Sequence, residues 1–174
     1  MKIAVTGANG CVGRRLCEAA RAKGHEIVAL GRSSGDRVWD PMAGPAPLEG
    51  VDAVIHLAGD NVAAGRWTKA KMARIRDSRV TGTRNLVAGM AKARPRVLVS
   101  ASAIGYYGNR GDEELTENST AGTDFLAGVC ADWEAEARAS GVRTVSMRTG
   151  IVPGPTMPMA RAAVRERSTI RSFL

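Results

Sequence analysis

The sequence predicts an α/β fold in which a parallel sheet is covered by helices on both faces. Three observations support this prediction: short apolar runs recur along the chain, helical stretches separate them, and a glycine-rich turn joins the first run to the first helix. Aromatic residues make up only 4% of the chain, which suits helices packed on a sheet better than a sandwich of two sheets. With 174 residues, one main domain is expected.

Apolar runs without polar alternation are typical of strands that are buried on both faces of a sheet. Because each run is followed by a helical stretch, we expect right-handed crossovers between parallel strands. Two loops, 33–50 and 105–122, are rich in glycine and polar residues, and the first is expected to hold one short element around Val38 and Trp39. The predicted strands are 3–5, 25–30, 52–57, 96–100 and 143–147, and the predicted helices are 12–23, 68–92 with an interruption near Gly82, and 125–140.

A glycine-rich turn follows the first predicted strand directly. Its Gly-x-x-Gly-x-x-Gly pattern is one residue longer than the usual dinucleotide-binding fingerprint but stands in the same context. Glycine lets the backbone approach a phosphate group, and the first amides of the helix point at the anion. We therefore predict that the turn binds the pyrophosphate of a nicotinamide dinucleotide; a tight turn without a ligand is the alternative. The predicted contacts are Gly7, Asn9, Gly10, Cys11, Val12 and Gly13.

Arg32 stands directly after the second strand, where an NAD-binding site would place a carboxylate for the ribose. A guanidinium suits the extra 2′-phosphate of NADP, so NADP is the predicted cofactor and NAD the less favoured one. Asp36 folding back to a ribose is one alternative, and a plain surface role for Arg32 is another.

The third strand ends in small residues that would let adenine and ribose lie against the backbone. Leu57, Ala58 and Gly59 are therefore predicted cofactor contacts, whereas His56 is expected to cap the strand and pack. Together with the glycine turn, these features predict a Rossmann-type, doubly wound sheet with strand order 3-2-1-4-5 that holds the dinucleotide at its carboxyl edge.

The chain is basic, with a formal net charge of +8. Neither of its two basic stretches interleaves aromatic residues as single-strand-binding surfaces do, so nucleic acid is a disfavoured partner. For the first stretch we expect a solvated helix face, with binding of a phosphate-bearing ligand as the alternative. The stretches comprise Arg66, Lys69, Lys71, Arg74, Arg76 and Arg79, and then Arg161, Arg165, Arg167 and Arg171.

The cysteines Cys11, Cys17 and Cys130 show no CxxC spacing, so neither a metal site nor a disulfide framework is expected. They are typical of small apolar residues in a reducing compartment. The sequence opens on a strand and contains no run of about 18 apolar residues, so we expect a cytoplasmic protein without a membrane segment.

Four motifs resemble those of the extended short-chain dehydrogenase/reductases and occur in the same order. Four further stretches resemble one subgroup, usually called NAD(P)-dependent epimerase family proteins, some of which carry a cell-division-inhibitor label. The resemblance extends to about residue 154. The superfamily motifs lie at 6–13, 56–59, 80–86 and 147–154, and the subgroup stretches at 39–41, 66–79, 100–108 and 124–134.

The resemblance places the superfamily's catalytic serine or threonine on Ser102, with Ser100 nearer the nicotinamide. A hydroxyl at Ser102 would hydrogen-bond a substrate carbonyl or alcohol, and a buried serine with a structural hydrogen bond is the alternative. The superfamily's Tyr-x-x-x-Lys pair, which handles the proton during hydride transfer, falls on Leu126 and Cys130, neither of which suits that task. Tyr106 and Tyr107 follow Ser102 and could supply a phenol from the loop, with Tyr107 the candidate acid, and an aromatic wall for the ligand is the alternative for both.

Arg148 lies in the last motif and is counted with the cofactor contacts. Because members of the subgroup continue well beyond this length, the resemblance implies a truncated or frame-shifted product that lacks most of the substrate-binding half. Residues 1–154 would form the NAD(P)-binding domain and 155–174 an arginine-rich tail. The implied parent activity is hydride-mediated reduction or epimerisation of a small carbonyl or sugar-like substrate; a non-catalytic nucleotide-binding regulatory module is the alternative. A homodimer is implied only by analogy.

Overall fold

The computed structural model describes residues 1–152, which form a six-stranded, fully parallel sheet. The tail at 155–174 lies outside the described residues. The predicted Rossmann-type parallel sheet is confirmed, but its strand order is corrected: the predicted third strand, 52–57, pairs with the first strand, and the short element near Val38 lies beyond the second. The strands are β1 (Lys2–Thr6), β2 (Glu26–Gly31), β3 (Arg37–Val38), β4 (Ala53–His56), β5 (Val97–Ala103) and β6 (Arg143–Thr149), in the spatial order β3-β2-β1-β4-β5-β6.

Three α-helices connect the strands in the described part of the chain: α1 (Cys11–Ala22), α2 (Lys69–Ala93) and α3 (Phe125–Arg138). The predicted interruption of the second helix near Gly82 is wrong, because α2 runs through that position without a break. A Cβ atom at Gly82 would lie 3.3 Å from the Cβ atom of Pro41. The glycine therefore lets the first loop pack against the helix, a contact that local helix propensity does not reveal.

The sheet separates two apolar clusters, which explains the continuous apolar character of its strands. Helix α1 packs through Cys17 and its neighbours on the face formed by alternate residues of β1, including Ile3 and Val5. Helices α2 and α3 cover the opposite face, where Leu86 and Leu98 are fully buried.

Parallel strands bring their carboxyl ends to one edge of the sheet. Across that edge, Thr6 on β1 is aligned with Leu30 on β2 and with His56 on β4, and His56 is aligned with Ser100 on β5. The crossovers change direction between β1 and β4, and the crevice at such a switch point is where α/β sheets bind ligands. The loops after β1, β4, β5 and β6 therefore surround the candidate site.

Candidate functional site

The glycine turn after β1 is closely packed against the start of α1. A Cβ atom at Gly13 would lie 2.2 Å from the carbonyl oxygen of Gly7, and Gly7 itself has a positive φ of 70°. The amide of Gly10 donates to the Gly7 carbonyl oxygen at 2.9 Å. These contacts leave no room for larger residues, so glycine is required at Gly7 and Gly13 by the geometry of the turn.

The first turn of α1 has the properties of an anion site. Its N-cap, Gly10, provides no side-chain cap, and the first turn carries no acidic residue. The side chains of Asn9, Cys11 and Val12 are exposed around it. Unpaired amides and the positive end of the helix dipole suit a pyrophosphate, so the residues present fit a dinucleotide at this turn.

A buried chain of hydrogen bonds fixes the loop that follows β4. The Thr6 hydroxyl oxygen accepts from the amides of Leu57 and Ala58 at 3.1 and 3.2 Å. The same hydroxyl lies 2.7 Å from His56 Nδ1, and His56 Nε2 lies 2.9 Å from the Thr83 hydroxyl on α2. Sequence reasoning did not identify Thr6 or Thr83, although they hold the backbone of the predicted adenosine contacts.

His56 is a structural histidine, as expected from the sequence. Its side chain is fully buried, and both ring nitrogens are engaged by threonine hydroxyls. Burial, assisted by the nearby charge of Arg79, lowers the pKa of His56 to about 4. The imidazole is therefore neutral at physiological pH and has no free nitrogen to offer a substrate.

The loop beyond Gly59 is tied to α2 by basic side chains. Lys71 is buried, and its ammonium donates to the Asp60 carboxylate at 2.8 Å and to the Asn61 carbonyl oxygen at 2.6 Å. Arg79 donates to the Asp60 carbonyl oxygen at 3.1 Å, and its guanidinium lies against Gly59. The prediction of a solvated helix face is therefore wrong for Lys71 and Arg79, because both cations fold back onto this loop.

The turn after β2 presents Arg32 to solvent. Within residues 1–152 the Arg32 guanidinium makes no hydrogen bond or ion pair, so it is available to a ligand. The Asp36 carboxylate accepts from the amide of Ala29 at 2.8 Å and so closes the turn onto β2. This contact argues against the alternative in which Asp36 folds back to a ribose.

Ser100 and Ser102 lie at the end of β5, and both are buried. The Ser102 hydroxyl donates to Glu134 Oε1 on α3 at 2.6 Å, and the Ser100 hydroxyl donates to the Ala101 carbonyl oxygen at 3.2 Å. Ser102 therefore has its proton engaged by a carboxylate in this structure.

Glu134 is a buried carboxylate that the sequence reasoning missed. Arg148 on β6 binds both of its oxygens, with Nε at 2.8 Å from Oε1 and Nη2 at 2.9 Å from Oε2. Burial alone would raise the pKa of Glu134, but the hydrogen bonds from Arg148 and Ser102 outweigh it and lower that pKa below its usual value. The only sequence signal was its position on α3, one helical turn beyond Cys130.

Arg148 also reaches the aromatic residues that follow β5. Its Nη1 donates to the Tyr107 hydroxyl oxygen at 3.0 Å, and its guanidinium lies 3.5 Å from the ring centroid of Tyr106. The structure thus joins three predicted site residues, Ser102, Tyr107 and Arg148, through Glu134. Arg148 was predicted as a cofactor contact. In this structure its guanidinium binds Glu134 and Tyr107.

The α3 positions that correspond to the superfamily's Tyr-x-x-x-Lys pair contain no acid–base group. Leu126 packs near Gly105 of the turn after β5, and Cys130 is buried. Burial raises the pKa of the Cys130 thiol, which keeps it protonated. Acid–base chemistry at this edge must therefore come from other elements.

An open cavity of about 650 Å³ lies beside this cluster, along β6 and next to α3. Its walls include Tyr107, Glu134 and Arg148, together with the exposed apolar side chain of Ile104. A cavity of this size accommodates a small organic molecule.

The family model for the NAD dependent epimerase/dehydratase family matches residues 3–172. The chain belongs to this family. The match continues past residue 154, where the resemblance carried by the motifs ends, and the NAD(P)-binding Rossmann fold expected from the sequence is confirmed.

Members of the epimerase family from several organisms are similar to this chain. An epimerase family protein of Mycobacterium bovis is 42% identical over 169 residues, which cover 91% of this chain and 56% of that protein. The chain therefore spans little more than half the length of this relative.

Two solved structures show the same fold. The nucleoside-diphosphate sugar epimerase of Corynebacterium glutamicum is 39% identical with a TM-score of 0.79, covering 94% of this chain and 37% of that one. Human epimerase family protein SDR39U1, solved with NADPH, is 30% identical with a TM-score of 0.82, covering 94% of this chain and 59% of that one.

None of the helices within residues 1–152 combines the length and apolar character needed to cross a membrane.

Proposed function

We propose that this chain binds NADP(H) in preference to NAD(H) and carries the nucleotide-binding half of an enzyme that reduces or epimerises a small carbonyl or sugar-like substrate. The observation that carries the proposal is the glycine turn, whose uncapped amides at the start of α1 offer a pyrophosphate site. Arg32, exposed at the end of β2, supports NADP because a free guanidinium suits a 2′-phosphate.

The dinucleotide would lie over the carboxyl ends of β1, β4 and β5. Gly7, Gly10 and Gly13 would hold its pyrophosphate, Arg32 its 2′-phosphate, and the backbone of 57–59 its adenosine. When bound, the cofactor supplies or accepts a hydride. The chain's own contribution is to orient the substrate and handle a proton, for which Ser102 and Tyr107 are the candidates.

Two related proteins of known structure support the substrate class and the cofactor. A structure that shares 39% of its sequence with this chain is a nucleoside-diphosphate sugar epimerase, and the human relative was solved with NADPH. Because the chain spans little more than half of its relatives' length, the activity is proposed for the complete fold of which this half is part.

A non-catalytic nucleotide-binding regulatory module is the second candidate. Its support is specific: Leu126 and Cys130 occupy the positions of the superfamily's acid–base pair, and neither can transfer a proton at neutral pH. In that case cofactor occupancy would alter a protein contact, and no chemistry would follow.

Calorimetric titration of the chain with NADPH and with NADH tests nucleotide binding, which both candidate functions require. We expect saturable binding of NADPH and weaker binding of NADH, and no heat of binding with either would contradict the proposal.

NADPH oxidation against a panel of carbonyl compounds then separates the enzyme from the regulatory module. Turnover that Ser102→Ala abolishes supports the enzyme, whereas tight binding without turnover supports the regulatory module.

A further inference from the structure

Arg148 uses its guanidinium to connect two different groups. Nε and Nη2 donate to the two oxygens of Glu134, while Nη1 donates to the Tyr107 hydroxyl oxygen and, at 3.1 Å, to the Glu117 carbonyl oxygen. The guanidinium carbon also lies over the ring of Tyr106. With every donor group engaged and its side chain mostly enclosed, Arg148 has a defined position beside the phenol.

The direction of the hydrogen bond to Tyr107 follows from chemistry. Arginine only donates, so the phenol oxygen must be the acceptor. Within residues 1–152 the Tyr107 hydroxyl has no acceptor for its own proton. Since Tyr107 lines the cavity along β6, that proton is available to a molecule bound there.

Ser102 differs from Tyr107 in this respect. Its hydroxyl proton is donated to the ionised Glu134 at 2.6 Å, so Ser102 has no proton left for a substrate oxygen. Of the two candidate residues, only Tyr107 is arranged as a proton donor.

We propose that Tyr107 is the proton donor of this site and that Arg148, anchored by Glu134, is the positioning residue that holds the phenol and stabilises its phenolate. This arrangement would replace the Tyr-x-x-x-Lys pair that α3 lacks, with the tyrosine on the 3₁₀ turn Ile104–Tyr107 and the cation on β6. The inference rests on the proposed function and assigns the roles within it.

The reaction balances with a nicotinamide cofactor as the reductant. The carbonyl carbon of the substrate receives the hydride, the carbonyl oxygen takes the Tyr107 proton, and the products are an alcohol and the oxidised cofactor. The phenolate that remains lies 3.0 Å from the Arg148 guanidinium and regains a proton from water in the open cavity. The reverse direction, oxidation of an alcohol, uses the phenolate as the base.

The test measures NADPH oxidation against the panel of carbonyl compounds, with turnover at saturation, KM and the NADPH dissociation constant determined separately. The charged groups that line the cavity with Tyr107 are Glu117, Glu134, Arg138 and Arg148, so variants of these residues isolate the contribution of Arg148.

Three variants give different expected results. Arg148→Met should lower turnover about tenfold or more while the NADPH dissociation constant is kept, because the cation at hydrogen-bond distance from the phenol is removed. Arg148→Lys, which keeps the charge, should restore part of the lost turnover. Arg138→Met, which also removes an arginine bound to Glu134 but one without contact to Tyr107, should keep turnover close to the parent value.

A merely structural role for the cluster predicts no rescue by a retained charge, so equal turnover in Arg148→Met and Arg148→Lys, or in Arg148→Met and Arg138→Met, would overturn the proposal. Should Arg148→Met fail to fold, Tyr107→Phe decides: it should lower turnover about 100-fold or more while NADPH affinity is kept, and unchanged turnover would contradict the assignment. If neither NADPH nor NADH binds, the proposed function fails. If NADPH binds but no compound of the panel is reduced, the assignment of Tyr107 fails.

Discussion

A Cβ atom on Gly13 would lie 2.2 Å from the carbonyl oxygen of Gly7, far inside van der Waals contact. The start of α1 can therefore approach the end of β1 only because Gly13 has no side chain. The close approach places the free amides of the helix directly above the strand end, where the pyrophosphate is proposed to bind.

We expect Gly13→Ala to lower the free energy of unfolding by about 2 kcal/mol and to weaken dinucleotide binding, because the turn must open to admit the methyl group. Gly128→Ala is the matched control, since Gly128 is exposed on α3 and nothing lies within 4 Å of its Cβ position. The control should gain about 0.5–1 kcal/mol from helix propensity. Denaturant unfolding and calorimetric titration measure both effects, and equal stability of the two variants would refute the packing argument.

Cys11 offers a labelling test of the same turn. It is exposed at the first position of α1, whereas Cys17 and Cys130 are buried. We expect a thiol reagent to modify one site in the folded chain, and NADPH at ten times its dissociation constant to slow that reaction about tenfold by occupancy. Mass spectrometry gives the site and the rate, and Cys11→Ser should take up no label. A labelling rate that saturating NADPH leaves unchanged would place the cofactor elsewhere.

Arg32 should determine the choice between the two nicotinamide cofactors. Loss of a charge-assisted hydrogen bond to the 2′-phosphate costs about 1.5–3 kcal/mol, so Arg32→Ala should weaken NADPH binding about tenfold or more and leave NADH binding unchanged. Arg15→Ala on α1 is the control, because it removes the same charge from an exposed position. If both variants keep the parent ratio of NADPH to NADH dissociation constants, Arg32 does not contact the 2′-phosphate.

Features with a local signal were predicted well from the sequence. The apolar runs and the glycine turn identified five strands and the first helix, because burial on both faces and close phosphate approach each require particular residues at short spacing. The short strand β3 was expected from two residues only. The predicted break of α2 at Gly82 was wrong because the glycine serves a contact with Pro41, which is distant in sequence.

The candidate site was predicted residue by residue but not as an arrangement. Ser102, Tyr107 and Arg148 were each singled out, yet the Glu134 carboxylate that joins them was not. Arg148 meets Glu134 across 14 residues of chain and Tyr107 across 41, on three different elements, so no periodicity reports the contact. Lys71 was misjudged for the same reason, since Asp60 reaches it from a separate loop.

The basic segment of α2 should not act as a nucleic-acid surface. Arg76 pairs with Asp132 at 2.7 Å, and Lys71 is buried against Asp60 at 2.8 Å, so these cations are neutralised within the fold. We therefore expect no mobility shift of duplex or single-stranded DNA at low salt, where counterion release would favour binding most strongly. A shift that disappears as salt is added would contradict this expectation.

His56 should make the stability of the fold depend on pH. The pKa of this imidazole is lowered from 6.5 in the unfolded reference to about 4 in the folded chain, chiefly by burial. The unfolded chain therefore binds the proton more readily than the folded chain. The stabilisation is fully present above about pH 6.5 and is lost as the pH falls towards 4.

Lowering the pH from about 7.5 to about 5 should thus remove about 2 kcal/mol of unfolding free energy through this group. Urea unfolding across that range measures the loss. His56→Gln should be less stable than the parent at the upper pH, because the bonds to Thr6 and Thr83 are disturbed, but it should lose this part of the pH dependence. His25→Gln, which removes the other histidine of the chain, should keep it. If the parent and His56→Gln show parallel stability curves, the buried imidazole is not the group that titrates.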